Sequence, residues 1–194
     1  MALHRSGPHA TYETCEAMIS AAEAFLIDGK LGASETLCRQ VLNEERENAD
    51  AIAVLGRLAH MTGNQEQARR MLLRATQIAP NSASHHFTLG DMHHSFGDVE
   101  AAVASYYSAL NLDPNFYAVL VNLSNSLLIL QKYTAAEEIS RRAIELVPES
   151  AEAHSNLGQA FLKQGRLTDA HRALSKSVDI SPQRPDLLNN YGVL

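Results

Sequence analysis

A period of 34 residues runs through this chain without insertion or deletion. Four prolines mark it: Pro80, Pro114, Pro148 and Pro182. A leucine, a small-residue and an alanine column keep the same spacing: Leu55, Leu89, Leu123 and Leu157; Gly56, Gly90, Ser124, Gly158 and Gly192; Ala68, Ala102, Ala136 and Ala170. A fixed period of this length is typical of helix pairs stacked into a solenoid, and not of a globule built around one catalytic cleft.

Counting from the prolines divides the chain into five full repeats and a partial sixth. They are 15–48, 49–82, 83–116, 117–150, 151–184 and, as the first helix of an incomplete repeat, 185–194. Residues 1–14 contain Gly7, Pro8 and polar residues, and we predict a flexible N-terminal tail there.

Each repeat is predicted to hold two antiparallel helices joined by a tight turn. The turn falls at Gly29, Gly63, Gly97 and Gly165. Glycine suits this place because the left-handed backbone conformation costs it little. Gln131 replaces it in the fourth repeat. The small-residue and alanine columns predict that the two helices of a repeat pack closely. Two helices can approach each other only where the side chains between them are small or absent.

The spacing of Leu-Gly, alanine, aromatic and proline positions resembles the tetratricopeptide repeat, and residues 83–116 match it best. The first repeat departs most, with Ala22 for glycine, Ser34 and Val41 for alanine, and Arg46 for proline. The resemblance implies an all-α fold, a right-handed α-solenoid superhelix whose concave face is lined by the first helix of each repeat. It also implies a non-catalytic protein–protein interaction scaffold that binds an extended peptide or partner segment in the concave groove.

The charge, hydropathy and cysteine content of the chain limit the classes of partner and the cellular location that we expect. The formal net charge is −6 and no basic face is evident, so a nucleic-acid partner is not expected. No stretch approaches the length of a membrane-spanning helix, and the first residues lack the apolar core of a signal peptide. Cys15 and Cys38 match no metal-binding spacing, and Cys38 shares a core column with Leu72, Tyr106 and Leu174. We therefore expect a cytoplasmic protein with no membrane partner.

Three asparagines form the sharpest candidate site. Asn122, Asn156 and Asn190 occupy the sixth position of successive repeats. In the tetratricopeptide family this position faces the groove, and each amide offers a donor and an acceptor to a peptide backbone. The arrangement resembles the asparagine ladder of the O-GlcNAc transferase repeat arm. The alternative is that asparagine is simply common at this position in repeats of every function.

Seven more residues complete the predicted groove. They are Arg57, Asp91, Asn125 and Gln159 from the ninth position, with Phe87, His94 and Lys163 beside them. Acidic residues outnumber Arg57 and Lys163 among the inward positions, so a carboxylate ligand is disfavoured. A neutral or basic peptide fits better, although acids at helix starts are also explained by the helix dipole.

The sequence predicts no enzyme, metal site or cofactor in this segment. No phosphate-binding glycine loop, nucleophile elbow or zinc-protease motif is present. Four histidines lie on one predicted helix, His85, His86, His93 and His94, but their spacings do not suit one ion. We expect His86 and His93 to face the core as packed, hydrogen-bonded side chains.

The partial sixth repeat leaves two interpretations open. In the first interpretation, the chain is the N-terminal, substrate-recruiting arm of a larger enzyme, such as a glycosyltransferase or sulfotransferase, cut after Leu194. Alternatively, the uncovered last helix pairs with a second copy and gives a homodimer. Between them we favour the fragment.

Overall fold

The computed structural model describes residues 14–192, and all regular secondary structure in that range is helical. The chain divides into two compact units, Met1–Pro80 and Asn81–Leu194. The N-terminal unit contains α1 (Cys15–Ile27), α2 (Leu31–Glu44), α3 (Ala49–Met61) and α4 (Gln65–Ile78). The C-terminal unit contains α5 (Ala83–Ser95), α6 (Val99–Leu112), α7 (Tyr117–Ile129), α8 (Tyr133–Leu146), α9 (Ala151–Lys163), α10 (Leu167–Ile180) and α11 (Pro185–Tyr191). The predicted tail, apart from Thr14, lies outside the described residues.

Side-chain caps fix where most of the first helices begin. The caps of α1, α3, α5 and α9 are Thr14, Asn48, Ser82 and Ser150. Each accepts a hydrogen bond from the backbone N–H three residues later, which satisfies one of the donors that a helix start leaves unpaired. The start of α11 instead carries Pro185, whose fixed φ suits a first helical turn.

The turn within each repeat is left-handed, as the sequence predicts. The φ angles of the four glycines are +72° at Gly29, +79° at Gly63, +83° at Gly97 and +75° at Gly165. Gln131 adopts φ +59° in the fourth repeat, where its Cβ makes that conformation unfavourable.

The small-residue column brings the two helices of a repeat into direct contact. A Cβ built on Gly90 would lie 2.5 Å from the ring of Tyr106, and one on Gly158 would lie 2.5 Å from Leu174. No real side chain tolerates such distances, so glycine is required opposite a large residue. The fourth repeat differs, because Ser124 stands opposite the column position of Ser140, and both are fully buried.

The buried histidine on α5 is His85, and not the two histidines that the sequence predicts to face the core. His85 is 5% exposed, whereas His86 and His93, which the sequence predicts to face the core, are both half-buried. The column of His85 also holds Ala51, Val119, Ala153 and Leu187, which are all buried. Burial of this second face depends on how successive repeats pack, and the spacing within one repeat does not reveal it.

Cys38 is buried as predicted, and burial raises the pKa of its thiol to about 11, with smaller contributions from Glu23 and Glu35.

On α11, Leu187 is buried while Leu188 is 45% exposed. Self-association through this helix stays a prediction. None of the helices described in residues 14–192 combines the length and the apolar character that a membrane span requires.

Candidate functional site

The first helices of the C-terminal unit line a polar groove, called here the inner groove. It comprises a cavity of about 280 Å³ bounded by α7, α9 and α11 and one of about 240 Å³ bounded by α5, α6 and α7. The two cavities share Asn122 and Asn125. Seven predicted site residues line this groove: Asp91, His94, Asn122, Asn125, Asn156, Gln159 and Asn190.

The three sixth-position asparagines donate their amide hydrogens to the repeat before them. Asn122 Nδ2 lies 2.8 Å from Asp91 Oδ1. Asn190 Nδ2 lies 3.0 Å from Ser155 Oγ.

Asn156 is the most constrained of these side chains, at 7% exposed. Its Nδ2 lies 2.7 Å from Ser124 Oγ and 3.2 Å from the carbonyl oxygen of Val121, so both amide hydrogens are in use. The asparagine column therefore ties consecutive repeats together. Its three Oδ1 atoms accept no hydrogen bond from residues 14–192 and stay available as acceptors.

The ninth-position amides differ from the sixth-position asparagines in their hydrogen bonding. Asn125 is exposed and Gln159 is half-buried, and both line the inner groove. Neither side chain makes a hydrogen bond within the described part of the chain. Each can therefore present a donor and an acceptor together, which is what recognition of a peptide backbone requires.

The groove contains more carboxylates than cations. Arg184 at the start of α11 donates to Glu152 and to Asp186, in the latter case at 2.7 Å. These contacts raise the pKa of Arg184, through the Asp186 hydrogen bond first and, against an opposing effect of burial, through Glu152. They leave one net negative charge in the larger cavity.

Asp91 supplies the negative charge of the smaller cavity. Its Oδ1 also accepts a hydrogen bond of 2.7 Å from the hydroxyl of Tyr106. Burial, the charge of Asp91 and that hydrogen bond together raise the pKa of Tyr106, so this hydroxyl stays a donor. His94 lines the same cavity, and its Nε2 is buried without a hydrogen-bond partner among residues 14–192.

Three predicted residues lie elsewhere. Phe87 joins an aromatic cluster, with ring centroids 5.1 Å from Phe116 and 6.2 Å from Tyr106. Lys163 is exposed at the end of α9. Arg57 belongs to the N-terminal unit, where its Nη1 lies 3.5 Å from Glu23 Oε1.

Sequence reasoning missed Arg184 as a groove residue. The equivalent position in the earlier repeats holds Asn48, Ser82, Phe116 and Ser150, so the column does not indicate a basic groove residue. The signal that the sequence does carry is the charge spacing, because Arg184 directly precedes Pro185 and follows Glu152 by 32 residues, which is close to one repeat.

Tetratricopeptide repeat family models match residues 25–89, 85–116 and 121–185. Together these matches take in most of the chain, which belongs to the tetratricopeptide repeat family. Tetratricopeptide proteins are protein-interaction scaffolds, and their fold is typically non-catalytic. The predicted fold class, an all-α solenoid of such repeats, is confirmed.

Relatives and solved structures agree with this class. The chain is 24% identical over 174 residues to protein O-mannosyl-transferase TMTC3 of Mus musculus, covering 82% of this chain and 19% of that protein. It is 30% identical over 146 residues to type IV pilus assembly protein PilF of Pseudomonas aeruginosa, covering 73% and 57%. The crystal structure of YrrB, a tetratricopeptide protein with an unusual peptide-binding site, superposes with a TM-score of 0.75 at 18% identity over 94% of this chain and 93% of that one. That identity shows the fold alone, and the chain spans about a fifth of the transferase's length.

Proposed function

We propose that the inner groove binds an extended peptide segment of neutral or basic character by its backbone. The observation that carries this proposal is the gathering of five amide side chains in one cavity: Asn122, Asn125, Asn156, Gln159 and Asn190. A peptide backbone alternates donors and acceptors, and side-chain amides match both without regard to the ligand's side chains.

The sixth-position and ninth-position amides have different roles in this proposal. Asn125 and Gln159 provide donors and acceptors, because their amides are not engaged with the scaffold. Asn122 and Asn156 provide acceptors through Oδ1, while their nitrogens hold the repeats together. The groove thus combines a rigid row of acceptors with adaptable amides beside it.

The groove charge favours the same ligand. Among the described residues that line the groove, the carboxylates are Asp91, Glu152 and Asp186 and the cation is Arg184. A peptide carboxylate would meet net negative charge, whereas a lysine or arginine side chain would be attracted. A cytoplasmic location is part of this proposal, since Cys15 and Cys38 are both free thiols.

The test compares two double variants on peptides selected against the wild-type chain from a library of unstructured peptides. Asn125→Ala/Gln159→Ala removes the free amides of the groove. Asn111→Ala/Gln77→Ala removes two exposed amides outside it. We expect the first variant to weaken binding by about tenfold or more, at roughly 1 kcal/mol per hydrogen bond lost, and the second to leave it unchanged.

Equal binding by both variants, with unchanged circular dichroism, would exclude the inner groove as the binding site. A triple Asn122, Asn156 and Asn190 replacement is a weaker test, because it also removes hydrogen bonds between repeats.

A second candidate is supported by the match to an O-mannosyl-transferase of which this chain covers 19%. In it, residues 1–194 form the substrate-recruiting arm of a larger glycosyltransferase or sulfotransferase. Sequencing the source gene past the codon for Leu194 tests it. A reading frame that continues into a catalytic domain supports the arm, and an immediate stop codon rules it out.

A further inference from the structure

A second groove lies on the other side of α9, across from the inner groove. We call it the outer groove, and it is a cavity of about 480 Å³ between α8 and α10. Its floor is formed by Leu157, Phe161 and Ala173. Because a helix turns by roughly 100° per residue, Leu157 and Phe161 point away from the side that carries Asn156 and Gln159. One helix thus separates two cavities of different chemistry.

Two arginines stack over the floor of the outer groove. The guanidinium carbons of Arg166 and Arg141 lie 4.2 and 5.5 Å from the centroid of the Phe161 ring. Both also pair with Glu137, at 2.9 and 2.5 Å. Glu137 is 7% exposed, so its charge lies behind the groove wall. The guanidinium groups of Arg141 and Arg166 therefore line the groove in front of this carboxylate.

The rim adds two more cations. Arg172 Nη2 lies 2.5 Å from Asp169 Oδ1, a carboxylate that Arg166 also contacts. Lys176 pairs with Glu149 at 3.0 Å, and Glu149 does not line the groove. The lining therefore holds four cations, Arg141, Arg166, Arg172 and Lys176, and one carboxylate, Asp169.

The N-terminal unit provides an internal comparison. The equivalent cavity between α2 and α4, of about 620 Å³, has two charged lining residues among those that the structure describes, Glu35 and Arg39. They pair with each other at 2.7 Å, so that cavity has no excess of charge. The cationic lining is thus a property of the outer groove and does not follow from the repeat geometry.

We propose that the outer groove binds an acidic peptide segment carrying one large apolar side chain. The apolar side chain packs on Leu157, Phe161 and Ala173. The acidic side chains contact Arg172 and Lys176, whose remaining N–H donors point to solvent. A peptide fits better than a nucleic acid, because the cavity has an apolar floor and the whole chain carries a formal charge of −6.

The experiment measures fluorescence anisotropy of a fluorescein-labelled peptide in which glutamates flank one phenylalanine. Arg172→Glu/Lys176→Glu reverses the exposed rim. The matched control, Arg70→Glu/Lys132→Glu, makes the same change in net charge at exposed positions outside every cavity described above. We expect the rim variant to bind about tenfold or more weakly, the control to bind like the wild type, and added salt to weaken wild-type binding.

A third variant tests the floor without altering charge. Ala173→Met introduces the residue that stands at the same repeat position in the N-terminal unit, Met71, and fills the cavity. We expect it to weaken the phenylalanine peptide and to have little effect on an alanine counterpart. Failure of the wild type to bind, equal binding by the rim and control variants, or tighter binding of an oligouridine of equal charge would each overturn the proposal. Asn125→Ala/Gln159→Ala, which tests the inner groove, should leave this binding unchanged.

Discussion

Replacing Ser140 by leucine gives the fourth repeat the large side chain that the fifth repeat carries at Leu174. At Gly158 an added Cβ would lie 2.5 Å from Leu174, and Ser124 already places a Cβ at the matching position. Ser140→Leu should therefore overpack the repeat and lower the free energy of unfolding by about 1–3 kcal/mol.

Ser124→Gly alone is also unfavourable. Glycine within a helix costs about 1 kcal/mol, and loss of the hydroxyl that accepts from Asn156 Nδ2 costs about 1 kcal/mol more. If the two sites were independent, the double variant would lose about 4 kcal/mol.

We expect the double variant to lose about 2 kcal/mol or less. Glycine at position 124 removes the steric conflict, and the leucine then gains roughly 1.5–3 kcal/mol from burial. The favourable coupling energy between the two substitutions should be about 2 kcal/mol.

Urea denaturation followed by far-UV circular dichroism measures all four states of this cycle. A second cycle pairs Ser124→Gly with Thr134→Ala, an exposed position on α8, and should be additive. Additivity within about 0.5 kcal/mol for Ser124 and Ser140 would refute the reasoning that the two columns compensate each other.

Four further substitutions test three other features: a buried hydroxyl, the left-handed turns and a buried carboxylate. Ser34→Ala should raise the free energy of unfolding by about 1 kcal/mol in urea titrations, because Ser34 Oγ is buried without a hydrogen-bond partner in residues 14–192 and the column is otherwise alanine. Gln131→Gly should raise the melting temperature in calorimetry through a gain of up to about 1 kcal/mol, while Gly165→Ala should lower it. Burial acts to raise the pKa of Glu137, but hydrogen bonds from Gln164 and Arg166 and the charges of Arg141 and Arg166 lower it overall. Its contribution to stability is thus present above the ordinary glutamate pKa of about 4.3 and lost as the pH falls through the lower folded value. The urea midpoints of wild type and Glu137→Gln should accordingly differ at neutral pH and converge on acidification.

The sequence predicts the helix pairs and their turns well because both follow from the position of each residue within the 34-residue repeat. A period of 34 residues fixes which columns face each other, so Gly90 could be assigned to a close contact before its partner was known. The positive φ of Gly97 follows in the same way from its place between two helical segments.

The state of the groove amides could not be predicted from one repeat. Whether Asn156 offers its nitrogen to a ligand depends on Ser124 and Val121 in the preceding repeat, and those contacts depend on how successive repeats pack. The burial of His85 was not predicted for the same reason. Column pairs such as Ser124 and Ser140 are visible in the sequence, but only when both helices are tabulated together.

The backward hydrogen bonds of the asparagine column give the C-terminal unit a direction. Asn122, Asn156 and Asn190 each reach to the repeat before them, and none of these bonds points forward. A repeat grafted elsewhere would keep its own helices yet lack the acceptors that its asparagine needs. Shuffling or circularly reordering these modules should consequently fail at specific junctions, and a designed array would have to transfer a donor repeat together with its predecessor.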